Sequence, residues 1–393
     1  MPLNGERAHQ VLQSHGVDVL IASSTENVYY ISDYWCLGQQ LGCDIQSYTI
    51  LPKEGEPTIV APFSEADLVA DSGTWINDLS FYGNPNVEIG QTVEPSEQIK
   101  RLLNLYKAVK PEADGASALL KILEKKGFTR GVIALDTSGL SPSTYEYLRG
   151  KLPNATLIDG SAMLQEIRLV KTDAELDCIR RATEITEKSM EDALEIVRPD
   201  IMEAEMAGMF GFSVAYDGGQ VTQDLIGFRQ RSSLPNPVPS LLEARRGDLI
   251  RMTLGCTWSH YHSNISRTAV IGRASSKIKK RWDAIKEAQN AALDAVRPGA
   301  RLYEVYTAAE KHLQTAGLKL HNLSLGHGIG VECNERPRIG EDCEGELIEG
   351  MVINIDIPHL ELGWGGIQLE DTVLVAADGY ELLTKTERDL YLL

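Results

Sequence analysis

His327, Asp356 and Glu370 lie in three stretches, LGHGIGVECNERP, MVINIDIP and GGIQLEDTVLV, whose residue types suit proton transfer. Imidazole titrates near neutrality, so His327 is the candidate acid or base, and neighbouring carboxylates can hold its tautomer and stabilise its cation. Asp356 and Glu370 would supply those carboxylates. Two bare acids in one concave site repel each other and resist ionisation, which calls for a positive partner such as a substrate amidinium, guanidinium or ammonium.

Such a site needs strands to carry it. The runs GDLIRMTLG, YHSNISRTAVIG, MVINIDIP and IQLEDTVLV read as strands. Residues two apart on a strand share a face, so His260, His262, Asn264 and Ser266 are expected along one side, and Gln368 and Glu370 along another. EIRLVKTDAELDCIRRATEIT opens a long helix in which Thr172 and Glu175 have capping-box spacing. The segment ALEIVRPDI from Ala193 is echoed by ALDAVRPGA from Ala292, and each proline ends one helical pattern before another begins. That echo points to a duplicated pair of helices. Ahead of it, HGVDVLIAS, TILPKEGEPTIVAP and GVIALDTSG alternate with helical patterns, as in an α/β layer domain. The expected division is an N-terminal domain over 1–163 and a catalytic domain over 164–393.

The 38 basic and 56 acidic residues leave a formal charge of −18, which argues against nucleic acid or an anionic membrane as partner and favours a small-molecule substrate. No apolar run approaches the roughly 18 residues of a spanning helix. The start MPLNGERAHQ lacks the pattern of a secretory signal. The six cysteines form no Cys-x-x-Cys pair, which fits reduced thiols and a cytoplasmic protein.

LGHGIG with the following Glu335 and Pro337, MVINIDIP, and QLEDTVLVAADGYELLT together resemble the pita-bread superfamily of methionine aminopeptidase, prolidase, aminopeptidase P and creatinase. The stretch 1–160 resembles the creatinase-type N-terminal domain. The resemblance implies an α/β protein: a creatinase-like α/β domain, then a pita-bread α+β domain with an internal pseudo-twofold repeat. In the metallopeptidase branch five side chains hold two divalent ions. The resemblance puts those ligands at Thr253, Asn264, His327, Asp356 and Glu370, and a further family histidine at Asn334. A threonine hydroxyl and an asparagine amide are neutral and bridge ions poorly. The expectation is therefore no cofactor and no dinuclear metal centre, with His327, Asp356 and Glu370 left to hold at most one ion.

By this character the chain is expected to stand closest to the non-peptidase members, creatinase and ectoine hydrolase. The expected function is hydrolysis of an amidine, guanidine or cyclic-amide C–N bond in a small charged amino-acid-like compound. Creatine is disfavoured because the place of creatinase's catalytic histidine falls on Pro235. The alternatives are an Xaa-Pro dipeptidase-like metalloenzyme or lyase with a single ion, and a catalytically silent binding protein. His327, Asp356 and Glu370 are assigned the chemistry. Thr253, His262, Asn264 and Asn334 are assigned substrate contacts, with Arg229, Arg231 or Arg336 as a bidentate clamp for a carboxylate. Trp35 joins them from the aromatic stretch NVYYISDYWCLGQQ. The resemblance also implies a homodimer in which residues 27–40 cap a neighbouring pocket.

Overall fold

The structure, a computed structural model, describes residues 3–90, 94–320 and 324–393. It divides into two compact units, Met1–Arg168 and Leu169–Leu393.

The first unit is built on a six-stranded mixed sheet. Its strands are β1 (Val19–Ala22), β2 (Tyr48–Pro52), β3 (Thr58–Pro62), β4 (Asp78–Tyr82), β5 (Gly131–Leu135) and β6 (Ala155–Asp159), in the order β4-β3-β2-β1-β5-β6. Three of the four inner strands, β1, β2 and β3, are buried along their whole length. Continuous apolar runs of this kind are what a sheet covered on both faces requires. The helix Thr25–Ser32 closes on Asp33, whose φ of 62° is left-handed. Beyond that turn the Trp35 indole donates to Gln40 Oε1 at 2.8 Å and packs edge-on against Tyr29.

The second unit carries the larger sheet. Its main strands are β7 (Gln220–Phe228), β8 (Leu249–Trp258), β9 (Tyr261–His262), β10 (Ile265–Val270), β11 (Ser324–Gly328), β12 (Glu335–Gly340), β13 (Val352–Glu361) and β14 (Gly365–Ala376). Their order is β12-β11-β13-β14-β10-β8-β7, with β9 paired to β8. Each half is a helix pair followed by antiparallel strands. The helices Asp173–Glu195 and Glu203–Tyr216 precede β7 to β10, and Ser276–Asp294 and Leu302–Thr315 precede β11 to β14. The two Val-Arg-Pro echoes fall at the two helix joints, which is the internal repeat expected of the pita-bread domain. The helix Asp173–Glu195 opens with the Thr172 and Glu175 capping box.

Alternation along the strands separates two faces. Met252, Leu254 and Ile265 join the core under the first helix pair, and Ile353, Ile355, Ile357 and Leu369 join the core under the second. Positions one residue away are polar and lie on the face that the helices leave open. Among the described residues no helix is long and apolar enough to cross a membrane.

Candidate active site

One row of side chains crosses four strands on the open face. Thr253 on β8 pairs with Ser266 on β10, Ser266 pairs with Glu370 on β14, and Glu370 pairs with Asp356 on β13. Two residues along the same strands come Arg251, Gln368 and Asn354, with Asn264 just ahead of β10. His327 on β11 pairs with Asn354. The glycines on either side of His327 have a steric reason: a Cβ at Gly326 would strike the Asn354 carbonyl, and one at Gly328 the Arg336 carbonyl. The backbone of β11 is thus squeezed between β13 and β12, which leaves no room for a side chain on either side of His327.

Glu370 is buried and saturated with donors. Asn264 Nδ2 and Asn354 Nδ2 donate to its Oε1 at 2.8 and 2.9 Å, and Ser266 Oγ donates to its Oε2 at 2.7 Å. Asp356 is half-buried and receives Gln368 Nε2 on both oxygens, at 2.9 and 3.0 Å. Gln368 is held in turn by Arg251 Nη1 and by Thr253 Oγ1, both donating to its Oε1. Arg251 spends its Nε on the Ser232 carbonyl at 2.6 Å and its Nη2 on the Leu234 carbonyl. His327 Nδ1 lies 2.9 Å from the Gly328 carbonyl. A carbonyl only accepts, so Nδ1 carries a proton and Nε2 is the basic nitrogen.

Burial and the facing Glu370 charge push Asp356 well above the usual carboxylate range, against the Gln368 bond and Arg251. Burial also raises Glu370, with His327 and the Ser266 and Asn354 bonds opposing. Arg251 is pulled down to about 10 by burial, which Asp356 partly offsets. The Cys333 thiol is pushed up to about 12 by burial and by Glu370. A facing acid pair with raised pKa values holds one proton more readily than none.

Of the residues singled out in the sequence, the structure brings Thr253, Asn264, His327, Asp356 and Glu370 onto one face, while Arg229 and Arg231 are taken up in ion pairs of their own. Arg229 Nε is paired with Asp248 at 2.6 Å and Arg231 Nε with Glu203 at 2.9 Å; both line a separate groove with Trp364 and Leu249. Neither guanidinium is left as a clamp on the row. Asn334 and Arg336 are exposed, while Glu335 between them turns inward to Lys171 Nζ at 2.8 Å. His262 gives its backbone N–H to the Gly330 carbonyl, and burial lowers its imidazole to about 4. His260 does not continue a strand. Ser259 and His260 take φ values of 47° and 63° and form the two-residue turn between β8 and β9. Trp35 belongs to the first unit. Arg251 and Asn354 were missed by the sequence reading, although each sits two residues from a chosen position and period-two alternation would have found both.

A pair of divalent ions does not fit this donor set. Two of the five positions are neutral, and both Glu370 oxygens already receive N–H or O–H donors. Among the described residues no three His, Cys, Asp or Glu side chains group as metal ligands would.

Comparison with known proteins gives two family matches: residues 177–377 match metallopeptidase family M24, and residues 6–170 match the creatinase/prolidase N-terminal domain. An Xaa-Pro dipeptidase of Pyrococcus furiosus is 36% identical over 235 residues, which is 58% of this chain and 66% of that protein. One of Pyrococcus horikoshii is 28% identical over 400 residues, covering 99% of this chain and all 100% of its own. Among solved structures, the prolidase of Pyrococcus horikoshii superposes with a TM-score of 0.79 at 26% identity, covering 98% of this chain and 99% of that one. These matches correct two expectations. The relatives are peptidases, so the chain does not stand with the non-peptidase members, and hydrolysis of an amidine, guanidine or cyclic amide gives way to the Xaa-Pro dipeptidase alternative.

Proposed function

Because this chain belongs to metallopeptidase family M24, a family of C–N bond hydrolases, we propose that its open polar face hydrolyses the peptide bond of a dipeptide-sized substrate of the Xaa-Pro kind. The observation that carries the reading is the cross-strand pair Asp356 and Glu370, flanked by His327 and backed by neutral side chains at Thr253 and Asn264. Glu370, with three donors, holds the negative charge; Asp356, with the more strongly raised pKa, holds the proton. His327 Nε2 takes a proton from the attacking water, and Asp356 gives its proton to the departing nitrogen. Thr253 acts through Gln368, whose amide holds both oxygens of the Asp356 carboxyl. No step is routed through a dinuclear centre, because the donor set does not hold one.

The pocket takes a small molecule. We place the protein in the cytoplasm as a homodimer, and light scattering that returns a monomer would remove the dimer. The test of the activity is a panel of Xaa-Pro dipeptides beside Xaa-Ala controls, with products identified by mass. Release of free proline by the parent, and its loss by about a hundred- to ten-thousand-fold in His327→Ala, is the expected result. No turnover of any Xaa-Pro dipeptide would overturn it.

A further inference from the structure

We infer that the outer face of the helix Glu203–Tyr216 docks a second copy of this chain, the two helices lying antiparallel across a twofold axis. Beyond its first turn the helix is apolar apart from Ser213. Met206, Phe210 and Val214 point into the core under the first helix pair. A helix with one buried side carries polar residues on the other, yet here Phe212 is 67% and Tyr216 77% exposed. Three more large apolar side chains, Val221, Val238 and Leu241, are exposed beside it. Val221 of β7 flanks the helix at Gly211, its Cγ2 3.9 Å from where a Cβ would stand. Bonds from the Glu203 and Ala204 N–H groups to the Leu242 and Ser240 carbonyls, at 3.2 and 3.0 Å, hold the segment carrying Val238 and Leu241 against the first turn. An apolar patch of this extent on a polar protein marks a surface that something covers.

The occupant is a second copy because the face complements itself. Ala204, Gly208, Phe212 and Tyr216 recur every four residues and so lie along one line. Reversed about the midpoint of that line, Phe212 falls opposite Gly208 of the partner subunit and Tyr216 opposite Ala204 of the partner subunit, large against small at each level. Within its own chain Gly208 has no steric reason to be glycine: a Cβ there would meet nothing within 4 Å, and glycine weakens a helix interior relative to alanine. The charges agree with the same reversal. Glu205 is exposed at one end of the helix, and at the other Lys188, bonded to Asp217 at 2.6 Å, lies 5.8 Å from the centre of the Tyr216 ring with N–H donors to spare. Antiparallel docking brings each Glu205 to Lys188 of the partner subunit and opposes the two helix dipoles. The five exposed side chains present on the order of 600 Å² per copy, so covering them on both copies reaches about 1,200 Å², where stable specific interfaces begin.

The test is sedimentation of the full chain at micromolar concentration, with far-ultraviolet circular dichroism as the check on folding. Phe212→Glu places a charge in the middle of the face and should halve the mass of the assembly, weakening association roughly a hundredfold. Gly208→Leu fills the notch that receives Phe212 of the partner subunit and should do the same, with the helix itself favoured because leucine is the better helix former. Leu362→Glu, at the 78% exposed tip of the β13–β14 turn, should leave the mass unchanged. A monomeric parent overturns the pairing, whether the face then proves bare or takes some other partner. A parent assembly whose mass survives both Phe212→Glu and Gly208→Leu overturns it too, and so does equal dissociation by Leu362→Glu, since the contact would then not belong to this helix.

Discussion

Asp356 and Glu370 stand directly opposite each other on the antiparallel strands β13 and β14, and the hydrogen bonds they receive are unequal: one amide reaches Asp356, while two amides and a hydroxyl reach Glu370. That inequality assigns the proton to Asp356 and the charge to Glu370. The consequences are measurable.

A raised acid that must be protonated loses its function as pH rises through its pKa. The alkaline limb of kcat/KM should therefore lie above the ordinary carboxylate range. In Glu370→Gln the facing charge is gone, so Asp356 ionises more easily and the limb of the residual activity should move to lower pH. A limb that stays in place in the variant would mean that Asp356 is not the titrating acid.

Restoring carboxylates should change what the pocket binds. Thr253→Asp with Asn264→Asp brings the face to four carboxylates and one imidazole, enough anionic oxygen for divalent ions. Metal content by elemental analysis should rise in the double variant relative to the parent. Equal content in both would show that the two neutral residues do not set metal affinity.

Glu335 keeps its place in the family motif for a structural reason, because its carboxylate is buried against Lys171 at 2.8 Å. Lys171→Met removes the ammonium from that buried carboxylate and should cost about 3–5 kcal/mol in urea unfolding. Lys171→Met with Glu335→Leu should recover much of the loss. If the double variant is no more stable than the single one, the pair is not coupled.

His262 titrates against folding. Its ordinary value is 6.5, and burial lowers it to about 4, as it does for His260. The stability that depends on its being neutral is complete above 6.5 and is lost as pH falls toward 4, where the unfolded chain takes a proton that the folded chain refuses. The urea midpoint should fall less across this window in His262→Gln than in the parent. A parallel decline in both proteins would remove His262 from the acid sensitivity.

Much of this was legible in the sequence, and the misses have physical causes. Strand alternation places Thr253, Asp356 and Glu370, and the Val-Arg-Pro echo marks the two helix joints. The strand assigned to His260 fails because a two-residue hairpin turn with both φ values positive is normally signalled by Asn-Gly, and here it is made by Ser259 and His260. The arginine clamps fail because nothing local in GFRQRSSLPNP reveals that Asp248 and Glu203, distant in sequence, already hold Arg229 and Arg231. The substrate class was misjudged for a different reason. The neutral residues at Thr253 and Asn264 argue against two metal ions, and they do not by themselves choose between a peptide and an amidine.

The central claim is that this face hydrolyses an Xaa-Pro bond with its own histidine and carboxylates. The most direct measurement is turnover of Ala-Pro by protein stripped with chelator, with residual metal quantified in the same sample. The account predicts proline release at the rate of untreated protein. Loss of activity on stripping, restored by manganese, zinc or iron, would contradict it.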